Sequence, residues 1–414
     1  MIDQRTQIEQ LVIDHETWRH QTINLIASEN ALSPIVRSAL NSDLLQRYAD
    51  YTGRDLSARR YQGNHYIEIL ERETVRIAQN VFRAKYIELR PISGHVAGAA
   101  VLMGLCQPGD VILEPGRDGG GHRQAGKFSN SPLLELQVQY LPFDEIKYNI
   151  DVSATIRLIE QTRPRLVILG SSNFLFPHPV ATLAKALKDY PDTILVYDAS
   201  HVMGFLAAGA FQDPISEGAD VVFGSTHKTL PGPQGGIIFT NRVDLIEKIS
   251  EATYPALVTN HHIFRIPALA LTLLEMQQWG KAYVEQIVEN AQAFGTALEA
   301  EGIPCVCVNG KYSSSHTLLA CVRNYGTGVQ VAERLEAAGV ITTAAHLPNY
   351  WGTEGIRIGV QEITRLGATT QDMLPIARWF KQAASGTCDL TVLSRETAEF
   401  ATRLGPVRFT WPED

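Results

Sequence analysis

Apolar and polar positions along this chain follow two rhythms. Residues 5–20 and 34–47 carry a helical pattern, separated by the irregular stretch "IASENALSP". From about residue 85 short apolar runs take over: "YIELRPIS", "DVILEP", "RPRLVILGSSN", "TILVYDASH" and "ADVVFGSTHK". They alternate with helical segments such as 95–106 and "VATLAKALKDYP". Continuous apolar strands of this kind predict a parallel sheet buried on both faces, hence an α/β domain. Helical periodicity returns over about 262–303, and "CVCV", "HTLLACV" and "IRIGV" are candidate strands of a smaller α+β unit. The pattern divides the chain into an N-terminal segment (1–33), a large α/β domain (34–275) and a small C-terminal domain (276–414).

Composition narrows the class. A chain of 414 residues exceeds the size at which one core keeps growing, which agrees with two domains. Charged residues are 19% and hydrophobic ones 45%, and no run reaches the roughly 18 apolar residues of a membrane span. The polar N-terminus argues against a signal peptide. Five cysteines without a CxxC pair or a metal-ligand set fit reduced thiols in a cytoplasm. A net charge of −8 without a basic block argues against nucleic acid and leaves small-molecule chemistry.

In open α/β sheets chemistry gathers at the carboxyl ends of strands. The polar residues expected there are Ser93, Gly94 and His95; Ser172; Asp198 and His201; and Ser225, Thr226, His227 and Lys228. A lysine just past a buried strand loses its proton more readily and becomes a nucleophile able to form a Schiff base; an isolated one is more often a surface turn residue. Asp198 could keep a pyridine nitrogen protonated, or simply cap the following helix. Ser93 and Gly94 at a helix start suit a phosphate, and equally an ordinary cap. His122, in a glycine-rich loop, could stack on a planar ring or face solvent. Arg357, inside an apolar strand, suits the bidentate grip of a carboxylate, with a structural ion pair as the alternative.

Taken together these motifs resemble the serine hydroxymethyltransferase family, of the aspartate-aminotransferase-like fold type I of pyridoxal-phosphate enzymes. The resemblance runs through "NLIASEN", "RYAD", "SGH", "GGGH", "YDASHVMG", "STHKTLPGPQGG" and "GIRIG", and covers most of the chain. It implies that Lys228 carries pyridoxal 5'-phosphate, Asp198 pairs with the pyridine nitrogen and His122 stacks on the ring. It further implies that Ser172 and His201 sit near the phenolic oxygen, that Ser93, Gly94, His95, Ser225 and His227 surround the cofactor, and that Ser28, Tyr61 and Arg357 meet the substrate. Tyr48 would reach in from the neighbouring subunit of a homodimer, with Asp50 handling protons.

The departures are as informative. "YAD" stands where the family has Tyr-Ala-Glu, and Gln62 replaces a second tyrosine. Arg117 and Arg123 occupy usually apolar positions flanking the stacking histidine, and Pro231 and Gln234 replace two arginines. Two guanidinium groups are poor company for a pteridine, because burying unpaired charge against a ring is unfavourable. The expected enzyme is therefore a folate-independent lyase or transferase acting at Cα/Cβ of a β-substituted amino acid. Threonine aldolase or transaldolase chemistry, and elimination or decarboxylative deamination of cysteine conjugates in specialised metabolism, both fit. Folate-dependent hydroxymethyl transfer and a catalytically silent binding protein are the alternatives.

Overall fold

The computed structural model describes residues 3–129 and 134–412. Its chain divides into two compact units. The larger comprises Ser28–Glu285 with the residues from Phe409 on, and the smaller the residues through Ala27 with Gln286–Arg408.

The larger unit is built on seven strands: β1 (Tyr86–Glu88), β2 (Val111–Pro115), β3 (Gln137–Leu141), β4 (Leu166–Leu169), β5 (Ile194–Asp198), β6 (Val221–Ser225) and β7 (Gly236–Thr240). They lie in the order β1-β7-β6-β5-β4-β2-β3. Neighbours are parallel from β6 through β3, while β7 runs antiparallel to both β1 and β6. The reversal follows from chain length: the ten residues between β6 and β7 are too few for a crossover helix. Strands β4 and β6 are buried at every position, as the apolar runs predict, and so is β7, which the sequence reading did not single out. Helix Gly94–Leu105 packs its alanines and Val101 into the core made by Ile112, Ile168, Val196, Phe223 and Ile238. Its glycines let it approach: a Cβ at Gly98 would lie 2.9 Å from Phe223 Cε2.

In the smaller unit β8 (Thr317–Cys321), β9 (Thr343–His346) and β10 (Glu354–Gly359) form an antiparallel sheet with β10 at its centre. The N-terminal chain is part of this unit. Ile23–Asn24 pairs in parallel with Val340–Ile341, Gly359 N donates to Leu25 O at 2.8 Å, and Gln361 Nε2 donates to Ile26 O at 2.7 Å. The division thus falls after Ala27 and Glu285, where the sequence reading placed it after residues 33 and 275. The second junction lies inside the continuous helix Arg265–Ala300, which carries no local punctuation to mark it.

Two elements differ from the sequence expectation. The pattern over 34–47 holds a helix only at Pro34–Leu40, followed by a 3-10 turn at Asp43–Gln46. Asn41, Ser42 and Asp43 form the break, and such side chains compete for backbone hydrogen bonds. "CVCV" makes only isolated bridges, Cys305 with Ala320 and Val308 with Lys311. A tight turn with Asn309 and Gly310 at positive φ uses up the length a strand would need.

Candidate active site

Strand β6 delivers the chain into the loop that carries Lys228, and the loop is fixed from three sides. Thr226 Oγ1 donates to Pro233 O at 2.6 Å, and Thr226 N donates to Gly235 O at 3.1 Å. Thr229 Oγ1 donates to His201 O at 2.9 Å and accepts from Gly204 N at 3.1 Å. Asn30 Nδ2 donates to Lys228 O at 2.7 Å and to Tyr283 OH at 2.9 Å. The half-buried Lys228 side chain therefore leaves a backbone with little freedom to move.

Asp198 ends β5 next door, and its Oδ1 accepts from Ser200 N at 2.9 Å, so it does cap the turn that follows. The ends of β5 and β6 are tied together: Ser225 Oγ donates to Ser200 O at 3.2 Å, and His201 is buried beneath Thr229. Ser93 caps helix Gly94–Leu105 by accepting from Val96 N at 3.1 Å. A Cβ at Gly94 would stand 2.9 Å from Ser225 N, and one at Gly236 2.3 Å from Ser93 O. Only glycines let this helix start lie directly against the end of β6.

The glycine-rich loop is bound to the end of β4. Ser171 Oγ donates to Gly119 O at 2.7 Å and Gly120 O at 2.9 Å, and Ser172 N donates to Gly120 O at 2.8 Å. It presents His122, whose ring meets His95 edge-on at 5.9 Å, while His95 stacks on Phe128. Desolvation lowers the His122 pKa; Asp198 opposes that shift, and Lys127, Lys228 and His95 reinforce it. The imidazole is thus neutral at pH 7 and feels both the Asp198 carboxylate and the Lys228 ammonium. His227 is pushed down to about 4 by burial and by Lys228, and its buried Nδ1 has no hydrogen-bond partner among the described residues. Ser93, Gly94, His95, His122, Ser172, Asp198, His201, Ser225, His227 and Lys228 all lie on these neighbouring strand ends and loops.

The remaining candidates lie on other elements. Tyr48 and Tyr61 are exposed and in ring contact at 5.4 Å. Asp50 is only 4% exposed and turns inward, its Oδ1 3.9 Å from His261 Nδ1. His261 Nε2 in turn lies 2.7 Å from Glu71, which pairs with Arg59 at 2.5 Å. Ser28 is half-buried in the larger unit. Arg357 belongs to the smaller unit, in the middle of β10 opposite Leu319 and Thr343, and burial lowers its pKa. Sequence reasoning missed Asn30, Thr229, Lys127 and His261. Asn30 stood inside a quoted motif, but its partner is 198 positions away.

The donor set fits a phosphorylated pyridine aldehyde: an amine, a carboxylate on the adjacent strand end, an imidazole whose charge both of them influence, and a glycine-lined helix start. Fold and site together define a pyridoxal-phosphate enzyme of fold type I. The family model for serine hydroxymethyltransferase matches residues 1–380. Among similar proteins are serine hydroxymethyltransferases from Methanopyrus kandleri and Sulfolobus acidocaldarius. The first is 41% identical over 95% of this chain and 92% of the relative, the second 38% identical over 98% and 94%. The crystal structure of L-threonine transaldolase from Pseudomonas fluorescens, in its internal aldimine state, superposes with a TM-score of 0.90. It is 26% identical and covers 98% of this chain and 94% of that one. The chain belongs to the serine hydroxymethyltransferase family, and its cofactor is pyridoxal phosphate.

Proposed function

We propose that this enzyme is a folate-independent lyase or transferase that acts at Cα/Cβ of a β-substituted amino acid. The observation that carries this reading is the charge on the loop that presents His122. Arg117 and Arg123 flank it at exposed positions, and Lys127 touches its ring. Three cations around the expected pteridine position suit a polar or acidic second substrate better than an apolar heterocycle. The threonine transaldolase neighbour supports the same direction. A second reading, folate-dependent hydroxymethyl transfer, is favoured by the names of the relatives at 38–41% identity.

In either reading the roles divide in the same way. Lys228 Nζ would hold the cofactor through its aldehyde, Asp198 would serve its ring nitrogen, and His122 would offer its flat neutral face. Ser172 and His201 would bind near the phenolic oxygen, Ser93 and Gly94 would hold the phosphate, and His95, Ser225 and His227 would surround the cofactor. Once bound, the cofactor draws electrons away from the substrate Cα. Arg357 would bind the substrate carboxylate, a role the family resemblance also gives to Ser28, and so would decide which Cα bond is exposed to that pull. The Lys228 amine would also be the group that moves a proton at Cα.

Tyr48, which is exposed, would serve the site of a second copy of the chain in a homodimer, Tyr61 would meet the substrate, and Asp50, buried 3.9 Å from His261, would handle protons. A cytoplasmic location agrees with five free cysteines. Among the described residues no helix is long and apolar enough to cross a membrane.

A substrate panel tests the proposal: serine with tetrahydrofolate, threonine alone, threonine with an aldehyde, and S-alkyl cysteines. Turnover of threonine or of a cysteine conjugate without folate is the expected result. Turnover confined to serine with tetrahydrofolate would establish the second reading instead.

A further inference from the structure

The contact between Lys127 and His122, counted above only for its charge, also constrains the ring. Lys127 Nζ lies 2.7 Å from His122 Nε2. A protonated lysine has three protons to give and no lone pair, so Nε2 must accept and the ring proton must sit on Nδ1. The contact is held from below. Glu114, buried at the end of β2, accepts from Ala125 N at 2.9 Å and Gly126 N at 2.8 Å, and so clamps the short helix Gln124–Phe128 that carries Lys127. Gln124 Nε2 adds a bond to His95 O at 3.1 Å. Lys127 makes no ion pair among the described residues, so no carboxylate competes directly for its ammonium. Arg123, Glu114 and Asp198 are the charged groups that act on Lys127; Asp198, Lys228 and His95 act with it on His122.

We propose that Lys127 is a positioning residue: by donating to His122 Nε2 it fixes that ring in a single neutral tautomer and a single orientation. The inference rests on the reading that His122 faces the cofactor ring, and it adds the device that keeps the face uncharged. Lowering of the His122 pKa by the neighbouring Lys127 charge works in the same direction.

The test is acylation of His122 by diethyl pyrocarbonate, followed by peptide mass spectrometry on the full-length protein with and without pyridoxal phosphate. The reagent attacks an unprotonated ring nitrogen. In the cofactor-free arm, Lys127→Met should speed acylation of His122 roughly tenfold at neutral pH, the size of one lost hydrogen bond to a charged donor. The pH midpoint of the reaction should also rise, because one opposing cation is gone. Lys127→Arg, which can still donate, should stay slow. Equal rates and an unchanged midpoint in wild type and Lys127→Met would overturn the proposal. Protection of His122 by the cofactor is read separately by comparing the two arms. Its absence would remove the ring-facing assignment while leaving the Lys127 contact judged on its own result.

Discussion

A few side chains at strand ends account for the candidate chemistry. Lys228, Asp198 and Ser93 could be picked out in the sequence because each follows or ends an apolar run, a signal confined to a few neighbouring residues. Asn30, Lys127 and His261 could not, since their meaning comes from partners that only the fold brings near. Arg357 gives the sharpest prediction at this scale. Replacing it with alanine should remove the bidentate, charge-assisted grip proposed for the substrate carboxylate, worth about 3 kcal/mol, so kcat/KM for the amino-acid substrate should fall by somewhat more than a hundredfold. Lysine at the position should rescue little, because a single ammonium cannot reproduce the planar fork. Steady-state kinetics of both variants decide it, and near-wild-type values for Arg357→Ala would remove the carboxylate assignment.

Among the elements, the loop that carries Lys228 depends on close backbone packing from a neighbouring helix. A Cβ at Gly204 would lie 2.2 Å from Thr229 O, one residue past Lys228. Gly204→Ala should therefore destabilise the protein by about 1–3 kcal/mol and loosen cofactor retention. A lowered urea midpoint and loss of cofactor on dialysis check this; wild-type behaviour in both would contradict it. The segment between β4 and β5 gives a pH prediction. Buried His178 accepts from Gly170 N at 3.1 Å through Nδ1, and burial pushes its pKa down to about 3 from 6.5. Between those values the unfolded chain binds a proton that the folded chain refuses, so stability falls as pH drops through the window and levels off below it. His178→Gln keeps an acceptor but cannot charge, and its thermal midpoint should fall less steeply than wild type between pH 6.5 and 3. Parallel slopes would show that His178 contributes nothing to the acid response. Strands β4 and β6 were legible because they are buried along their whole length, whereas β7, equally buried, directly follows the Pro/Gly loop and was not singled out. The break at Asn41 and the lost "CVCV" strand were not legible, because local side-chain bonding and a tight turn overrode the apolar pattern.

For the whole molecule, the α/β plan and the presence of two units follow from pattern and length, but the membership of the N-terminal chain does not. Only two residues, Ile23 and Asn24, form its ladder, too short a run to stand out from the sequence. The helix before them, Gln4–His20, buries none of its side chains, and Ile8, Leu11, Val12, Ile13 and Trp18 are exposed on it. Apolar surface of this extent, together with exposed Tyr48 and Tyr61, predicts a homodimer. Sedimentation equilibrium should give about twice the 45.7 kDa chain mass at micromolar concentration. A monomer that is fully active would contradict the assignment of Tyr48 to a partner site.

The central claim is that the amine at position 228 binds pyridoxal phosphate covalently, and chemical trapping addresses it most directly. Reduction of the holoenzyme with borohydride, followed by peptide mapping, should place a single pyridoxyl group on Lys228. The same group found on another lysine, Lys127 above all, would contradict the account.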